Sequence, residues 1–106
     1  MAEFDIESID DVIHGRLRLG IMAHLTNVGV ADFNELKALL GATQGNLSVH
    51  LRKLEEAGYI TIEKGYLGRK PNTKARLTSQ GRKAFAAYLD GLSQLIENAR
   101  STRADR

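Results

Sequence analysis

The stretch from Thr43 to Arg76, TQGNLSVHLRKLEEAGYITIEKGYLGRKPNTKAR, decides the fold of this chain. Leu47, Leu51 and Leu54 recur in its first half at helical spacing, which predicts a helix with one buried face. The opposite arc of this helix carries small or polar side chains and a basic end, namely Gly45, Asn46, Ser48, Val49, Arg52 and Lys53. A helix with such an outer face fits the major groove of DNA.

A basic hairpin follows the helix directly. Residues 59–63 and 74–78 alternate apolar and polar side chains, as half-buried strands do. The nine residues from Gly65 to Thr73 contain two glycines and the only proline of the chain. They predict a hairpin with a long tip, of the kind called a wing.

The residues before this stretch predict two further helices. A helix from about Arg16 to Asn27 is apolar on most sides, as expected for a central, buried helix. Asp32 and Glu35 have the spacing of a capping box and begin a helix that stops at Gly41. The short turn that follows matches the helix-turn-helix description.

The last predicted helix is the candidate for a dimer interface. Phe85, Tyr88, Leu92 and Leu95 follow the spacing of a coiled-coil seam. With two further apolar side chains the proposed interface set is Phe85, Tyr88, Leu89, Leu92, Leu95 and Ile96. A helix that folds back on its own core is the alternative explanation of the same stripe.

The predicted fold class is α+β, mostly α with a small β-hairpin: a winged helix-turn-helix with a C-terminal dimerisation helix. The predicted division is a flexible arm at residues 1–8, the winged helix-turn-helix at 9–78, the dimerisation helix at 79–98 and a frayed tail at 99–106.

Length and composition bound the class of protein. A chain of 106 residues is one domain by length. Because the chain has no cysteine, it can form neither disulfides nor thiolate metal sites. No run approaches the roughly 18 apolar residues of a membrane span. The acidic N-terminus differs from the basic start of a signal peptide, so we expect a cytoplasmic protein.

The positive charge is concentrated in one part of the chain. The net charge is only +2, yet residues 42–83 hold nine basic and three acidic side chains. Residues 1–41, in contrast, hold three basic and seven acidic side chains. Such clustering is typical of proteins that bind a polyanion, although a solvated surface that happens to be basic would also produce it.

The arrangement predicts which side chains contact DNA. In a helix-turn-helix the N-terminal part of the second helix approaches the base edges, and amide side chains can pair with adenine there. The predicted base-reading residues are Gln44, Gly45, Asn46 and Ser48. The predicted contacts to the DNA backbone are Thr43, which can instead cap the helix, and Arg52, Lys53, Lys74 and Arg76. The predicted wing contacts are Lys64, Arg69 and Lys70.

The segment LSVHLRKLEEAGYITIEKGYLGRKPNTKARLTSQGRKAF, residues 47–85, resembles the core of the small winged-helix regulators grouped with MarR- and ArsR-type repressors. The segment Arg18-Leu19-Gly20-Ile21 also matches the Arg-Leu-x-Ile of their first long helix, and the likeness covers about residues 10–97. It implies a homodimeric repressor or activator that binds double-stranded DNA. A dimer of such domains predicts a pseudo-palindromic site.

Other functions receive little support from the sequence. The three histidines are dispersed, which argues against metal sensing, and the chain is too short for the helices that frame an effector pocket in longer MarR-type proteins. No catalytic motif is present, so we expect neither an enzyme nor a cofactor. A winged helix used as a protein-interaction module, or for nonspecific DNA binding, is the alternative function.

Overall fold

The computed structural model describes residues 5–104, which form four helices and one three-stranded sheet. A 3-10 turn at Ile6–Ser8 precedes them, and the elements in chain order are α1 (Arg16–Val28), β1 (Val30–Asp32), α2 (Phe33–Leu40), α3 (Gln44–Glu56), β2 (Ile60–Leu67), β3 (Lys70–Leu77) and α4 (Ser79–Ala104). The order of elements confirms the predicted α+β class and the winged helix-turn-helix arrangement.

Local hydrogen bonds explain where α2 and α3 begin and end. The Asp32 carboxylate accepts from the backbone N–H of Glu35 at 2.7 Å and caps α2. Gly41 ends α2 in the left-handed conformation, with φ +61°, which glycine adopts without steric cost. The Thr43 hydroxyl then accepts from the N–H of Asn46 at 3.2 Å, so the predicted cap of α3 is confirmed.

The sheet is antiparallel and has the strand order β1-β3-β2. Strand β3 pairs with β2 along its whole length, from Leu77 opposite Ile60 to Lys70 opposite Leu67. Strand β1 pairs with β3 only at residues 74–76. The sheet therefore has three strands where it packs on the helices and two strands where the wing projects.

The prediction of a long wing tip is wrong. Pairing continues to Leu67 and Lys70, which leaves a two-residue turn made of Gly68 and Arg69. Gly68 has φ +66°, and Arg69, like every other non-glycine residue in the range 5–104, has no positive φ. This combination fits a type II′ hairpin turn. Pro71 lies within β3, where β1 is absent, and a proline is tolerated on such an unpaired strand edge.

One core joins the helices to the sheet. The central helix is α1, whose Ile21, Met22 and Leu25 are fully buried. Among the described residues, the buried apolar side chains are Ile13, Ile21, Met22, Leu25, Ala31, Leu36, Leu47, Leu51, Leu54, Ile60, Ala75, Phe85 and Tyr88. The leucines of α3 thus belong to the same core as the strands, which fixes the helix relative to the wing.

The first half of α4 also belongs to this core, contrary to part of the predicted dimer interface. Phe85 and Tyr88 are only 6% and 1% exposed, and their rings stack with centroids 6.1 Å apart. The Tyr88 hydroxyl lies 2.9 Å from Nδ1 of His14. These two aromatic residues are buried within one protomer and are not available to a second chain.

The ends of the chain differ from the predicted division. Helix α4 continues to Ala104, so residues 99–104 are helical where a frayed tail was predicted. The residues of the predicted arm from Asp5 onward include the 3-10 turn, whose last residue, Ser8, lies against Gly91 of α4. Residues 1–4 of the predicted arm and 105–106 of the predicted tail lie outside the described range.

We expect Gly81→Ala to lower the free energy of unfolding by about 1–3 kcal/mol, because an added Cβ would lie 2.1 Å from the carbonyl oxygen of Tyr59. Gly45→Ala is the matched control, since a Cβ there meets nothing within 4 Å. This control should leave the stability unchanged or raise it by up to about 1 kcal/mol. Urea unfolding at one protein concentration measures both, and equal changes in the two variants would contradict the packing described.

Candidate nucleic-acid interface

The first turns of α3 present the predicted base-reading residues to solvent. Gln44, Gly45 and Asn46 are exposed, and Ser48 is half-buried at the edge of the same surface. The helix is fixed from behind by its three buried leucines. The polar surface is therefore held by a rigid element, as a base-reading surface requires.

An open groove of about 390 Å³ separates α3 from the hairpin. Gln44, Ser48 and Arg52 line it from the helix, and Lys64 and Thr73 line it from the wing. The structure thus brings together predicted base-reading, backbone and wing residues that are up to 20 positions apart in sequence.

Two asparagines also line this groove and were not among the predicted site residues. Asn34 lies at the start of α2 and Asn72 lies in β3. Sequence patterns place Asn34 in a predicted helix and Asn72 in the predicted hairpin tip. They do not show that both approach α3, since that depends on how the elements pack. Both are amide side chains of the type that can contact base edges or phosphates.

The strand register divides the wing cations between two faces of the sheet. Lys64 pairs with Thr73 and shares a face with Ile62 and Ala75, toward α3. Residues on a strand alternate between faces, so Lys74 and Arg76 lie on the opposite face, as their spacing from Ala75 and Leu77 predicts. The structure does not bring Lys74 and Arg76 to the groove.

Arg76 is further engaged by an ion pair. Its Nε donates to Oε2 of Glu63 at 2.8 Å, and both side chains are exposed. The hydrogen bond from Arg76 lowers the pKa of the Glu63 carboxyl. Arg76 thus already has an anionic partner within its own hairpin, which reduces its attraction for a phosphate.

Thr43 and Lys53, which were also predicted to contact the DNA backbone, lie in different environments. The Thr43 hydroxyl accepts the capping hydrogen bond of α3 and keeps its own O–H for another acceptor. Lys53 is exposed but lies on the other side of α3 from the groove, beside Arg18, Glu56 and Asp11. A duplex seated between α3 and the wing would reach Arg52 more directly than Lys53.

The wing tip combines cations with two exposed apolar side chains. Arg69 and Lys70 are exposed at the turn. Tyr66 and Leu67 beside them are 76% and 71% exposed. No acidic residue follows Glu63 until Asp90 in the sequence. The projecting end of the hairpin therefore carries only positive charge.

A hydrogen bond from α1 holds the middle of α3. Arg18 Nη1 lies 2.9 Å from Nδ1 of His50, and Arg18 Nε also donates to the carbonyl oxygen of Val12. Because arginine has no acceptor, His50 Nδ1 must be unprotonated and must accept this hydrogen bond. Burial, and then the charges of Arg18 and Lys53, lower the pKa of His50. His50 is therefore neutral and helps to hold the middle of α3 against α1.

A second hydrogen bond ties the loop before α1 to the base of the wing. The Tyr59 hydroxyl donates to the Asp10 carboxylate, which also accepts from the N–H of Val12 at 2.8 Å. Burial and the hydrogen bond to Asp10 raise the pKa of Tyr59 to about 12. The loop and the first residues of the hairpin are thereby joined on the side of the domain remote from the wing tip.

A helix-turn-helix, a three-stranded sheet that extends into a two-stranded wing, and an exposed helix face with polar side chains define the winged-helix class of DNA-binding proteins. Residues 17–96 match the family described as the winged helix DNA-binding domain, and the chain belongs to this family. It is a family of transcriptional regulators rather than of enzymes.

The chain is similar to individual proteins over most of its length. The chain is 36% identical to an uncharacterized protein of Methanocaldococcus jannaschii over 87 residues. The aligned region covers 82% of this chain and 95% of that protein. A solved transcriptional regulator homologue from Pyrococcus horikoshii OT3 has a TM-score of 0.78 at 31% identity, covering 83% of this chain and 87% of that one.

A MarR-family structure is also similar. A candidate transcriptional regulator of that family from Enterococcus faecalis V583 has a TM-score of 0.68 at 29% identity, covering 90% of this chain and 84% of that one. The resemblance to MarR-type winged-helix regulators is thus confirmed, and the protein is a winged-helix transcriptional regulator that binds double-stranded DNA.

Residues 5–104 show neither a metal-ligand cluster nor a membrane span. No group of three or more His, Asp or Glu side chains among them is placed to hold a metal ion. None of the helices in this range is long and apolar enough to cross a membrane.

We expect the imidazole of His50 to titrate below its ordinary pKa of 6.5. Because the pKa is lowered in the folded state, the stabilisation from neutral His50 is complete above pH 6.5 and is lost as pH falls through the folded pKa. Arg18→Met should move the pKa back toward 6.5, since it removes a neighbouring positive charge and the hydrogen bond at Nδ1. An NMR titration of the imidazole measures this, with Lys37→Met as a charge-matched control remote from His50 in sequence. Identical titration curves in wild type and Arg18→Met would contradict the role given to Arg18.

Proposed function

We propose that this protein regulates transcription as a homodimer that recognises a specific duplex sequence, with α3 in the major groove and the wing in or near the adjacent minor groove. The groove between α3 and the hairpin is the observation that carries this proposal, because it joins hydrogen-bonding side chains with cations on one concave surface. Gln44, Gly45, Asn46 and Ser48 face the base edges in this arrangement.

The cations on the same surface supply contacts to the DNA backbone. Arg52 and Lys64 line opposite walls of the groove and face the phosphates on either side of α3. Arg69 and Lys70 at the tip enter or flank the minor groove, where a narrow A·T-rich segment concentrates negative potential. Thr43 contacts phosphate through its free O–H, while Lys53, Lys74 and Arg76 contribute mainly to the general positive field.

The distal half of α4 is the proposed dimer interface. Leu89, Leu95 and Ile96 are 47%, 39% and 48% exposed, and half-buried Leu92 lies among them. Pairing of this stripe with a second copy about a two-fold axis would cover it. Two α3 helices about one DNA turn, roughly 34 Å, apart would then read the half-sites of a pseudo-palindrome.

Selection on a random pool of duplexes at near-physiological salt tests the proposed function. Sequencing of the retained DNA should give an enriched inverted repeat. Retention without enrichment that disappears with added salt would contradict sequence recognition and favour nonspecific binding. An absence of retention would favour a protein-interaction module, for which exposed Tyr66 and Leu67 offer a contact surface.

We expect Lys64→Gln and Lys74→Gln to differ, although each removes one positive charge from the same hairpin. Lys64 faces the groove, so its loss should reduce the slope of log affinity against log salt by about 0.9, the value for one phosphate contact. Lys74→Gln should leave the slope nearly unchanged, because Lys74 lies on the opposite face of the sheet. Salt titrations of operator binding measure both slopes. Equal slopes in the two variants would refute the assignment of the groove as the DNA-binding surface.

Ile96→Glu should convert the dimer to monomers, because it places a charge in the apolar stripe of α4. Gln94→Glu is the control, since Gln94 is exposed, polar and on the same helix. Sedimentation equilibrium measures the association, and operator affinity should fall only in Ile96→Glu. A wild-type protein that is monomeric over the concentrations that bind the operator would overturn the proposed dimer.

A further inference from the structure

The exposed face of the first two turns of α3 includes one apolar side chain among its polar ones. Val49 is 47% exposed there, and Gly45 lies one helical turn before it. At about 100° per residue, Val49 lies roughly 140–200° around the helix from the buried Leu47, Leu51 and Leu54. The amide side chains of Gln44 and Asn46 therefore lie on either side of a line formed by Gly45 and Val49.

The fold itself does not require these two residues. A Cβ added at Gly45 would meet nothing within 4 Å, and its φ is not positive, so neither crowding nor backbone conformation explains the glycine. Glycine in a helix costs about 1 kcal/mol relative to alanine. Val49 is outside the core cluster of buried and partly buried side chains. The absence of a side chain at Gly45 and the exposed side chain of Val49 are therefore relevant to a molecule that binds this surface of α3.

The chemistry of the approaching group follows from the proposed function, on which this inference rests. Of the base edges in the major groove, only that of thymine carries an apolar group, the 5-methyl. A methyl group seated in a shallow notch between the open surface at Gly45 and the exposed Val49 side chain would lose its contact with water. The same notch offers no acceptor to the N4 amino group of cytosine, which would lose its water.

We propose that Gly45 and Val49 form a methyl-binding notch, which seats the 5-methyl group of one thymine in each half-site. Gln44 and Asn46 then lie beside the notch, where their amides can pair with adenines on either strand. Recognition at this position depends on burial of a methyl group, whereas recognition at the flanking positions depends on hydrogen bonds. The notch therefore distinguishes thymine from uracil, a difference that no hydrogen bond in the groove reports.

Uracil substitution tests the notch, because uracil keeps every hydrogen-bonding group of thymine and lacks only the methyl. Each thymine of the selected operator is replaced in turn, and dissociation constants are measured at fixed salt with wild type and Val49→Ala. At one position per half-site the replacement should weaken wild-type binding about fourfold, as for one buried methyl. The same replacement should have no effect on Val49→Ala.

A comparison of cytosine with 5-methylcytosine at that position measures the contribution of the methyl group apart from the rest of the thymine base. Wild type should bind the methylated duplex more tightly than the unmethylated one, and Val49→Ala should bind the two equally. Equal binding by wild type, or a preference that persists in Val49→Ala, would overturn the notch. It would also be overturned by a uracil penalty that is the same in both proteins.

Gly45→Ala gives an independent measurement. The added methyl group would occupy part of the proposed notch, and it would not clash with the protein itself. Operator affinity should fall about tenfold, roughly the loss of one base contact, while urea unfolding shows no loss of stability. Unchanged affinity would contradict the close approach. The selection experiment separates the two proposals: without an enriched site both are wrong, and with an enriched site that is insensitive to uracil only the notch is wrong.

Discussion

Burial of Leu47, Leu51 and Leu54 is the constraint on which the rest of the structure depends. These side chains place α3 in the common core with α1 and the sheet, so its outer surface has one orientation relative to the wing. The hydrogen bond from Arg18 to His50 acts on the same helix at its edge. Packing fixes the position of the helix, and the hydrogen bond opposes rotation about its axis.

The sheet determines which cations can act together. Because side chains alternate along a strand, Lys64 and Lys74 lie on opposite faces although both belong to one hairpin. In the proposed binding mode, the contribution of a lysine to DNA binding thus depends on which face of the strand it occupies more than on its distance from α3 in sequence. The internal pair of Glu63 with Arg76 strengthens this difference, since it neutralises charge only on the outer face.

The elements whose signals are local were predictable from the sequence. The caps at Asp32 and Thr43, the glycine stop at Gly41 and the leucine face of α3 each depend on residues within one or two helical turns. Their agreement with the structure has a simple cause, because such signals act through hydrogen bonds or periodicity within a single element.

The failures of prediction concern tertiary context. Gly68 and Pro71 indicate a loop by composition, yet cross-strand pairing extends to the turn and the unpaired edge tolerates the proline. Phe85 and Tyr88 share the spacing of a seam with Leu92 and Leu95, but only the packing of α4 on its own core separates the two pairs. The sequence could identify the cations and amides of the proposed interface and could place Lys74 and Arg76 on the face away from Ala75 and Leu77. The position of Lys64 on the groove side required the register of the wing.

The short turn at the wing tip also affects the thermodynamics of binding. A flexible nine-residue loop would lose about 1–2 kcal/mol of backbone conformational entropy for each residue that DNA ordered. Here the strands are paired up to Leu67 and Lys70 before any duplex arrives, so folding of the protein has already removed most of that freedom. Arg69 is carried on a preorganised projection. In the proposed binding mode, the interaction energy of the tip with the minor groove would therefore be available for affinity rather than for ordering the chain.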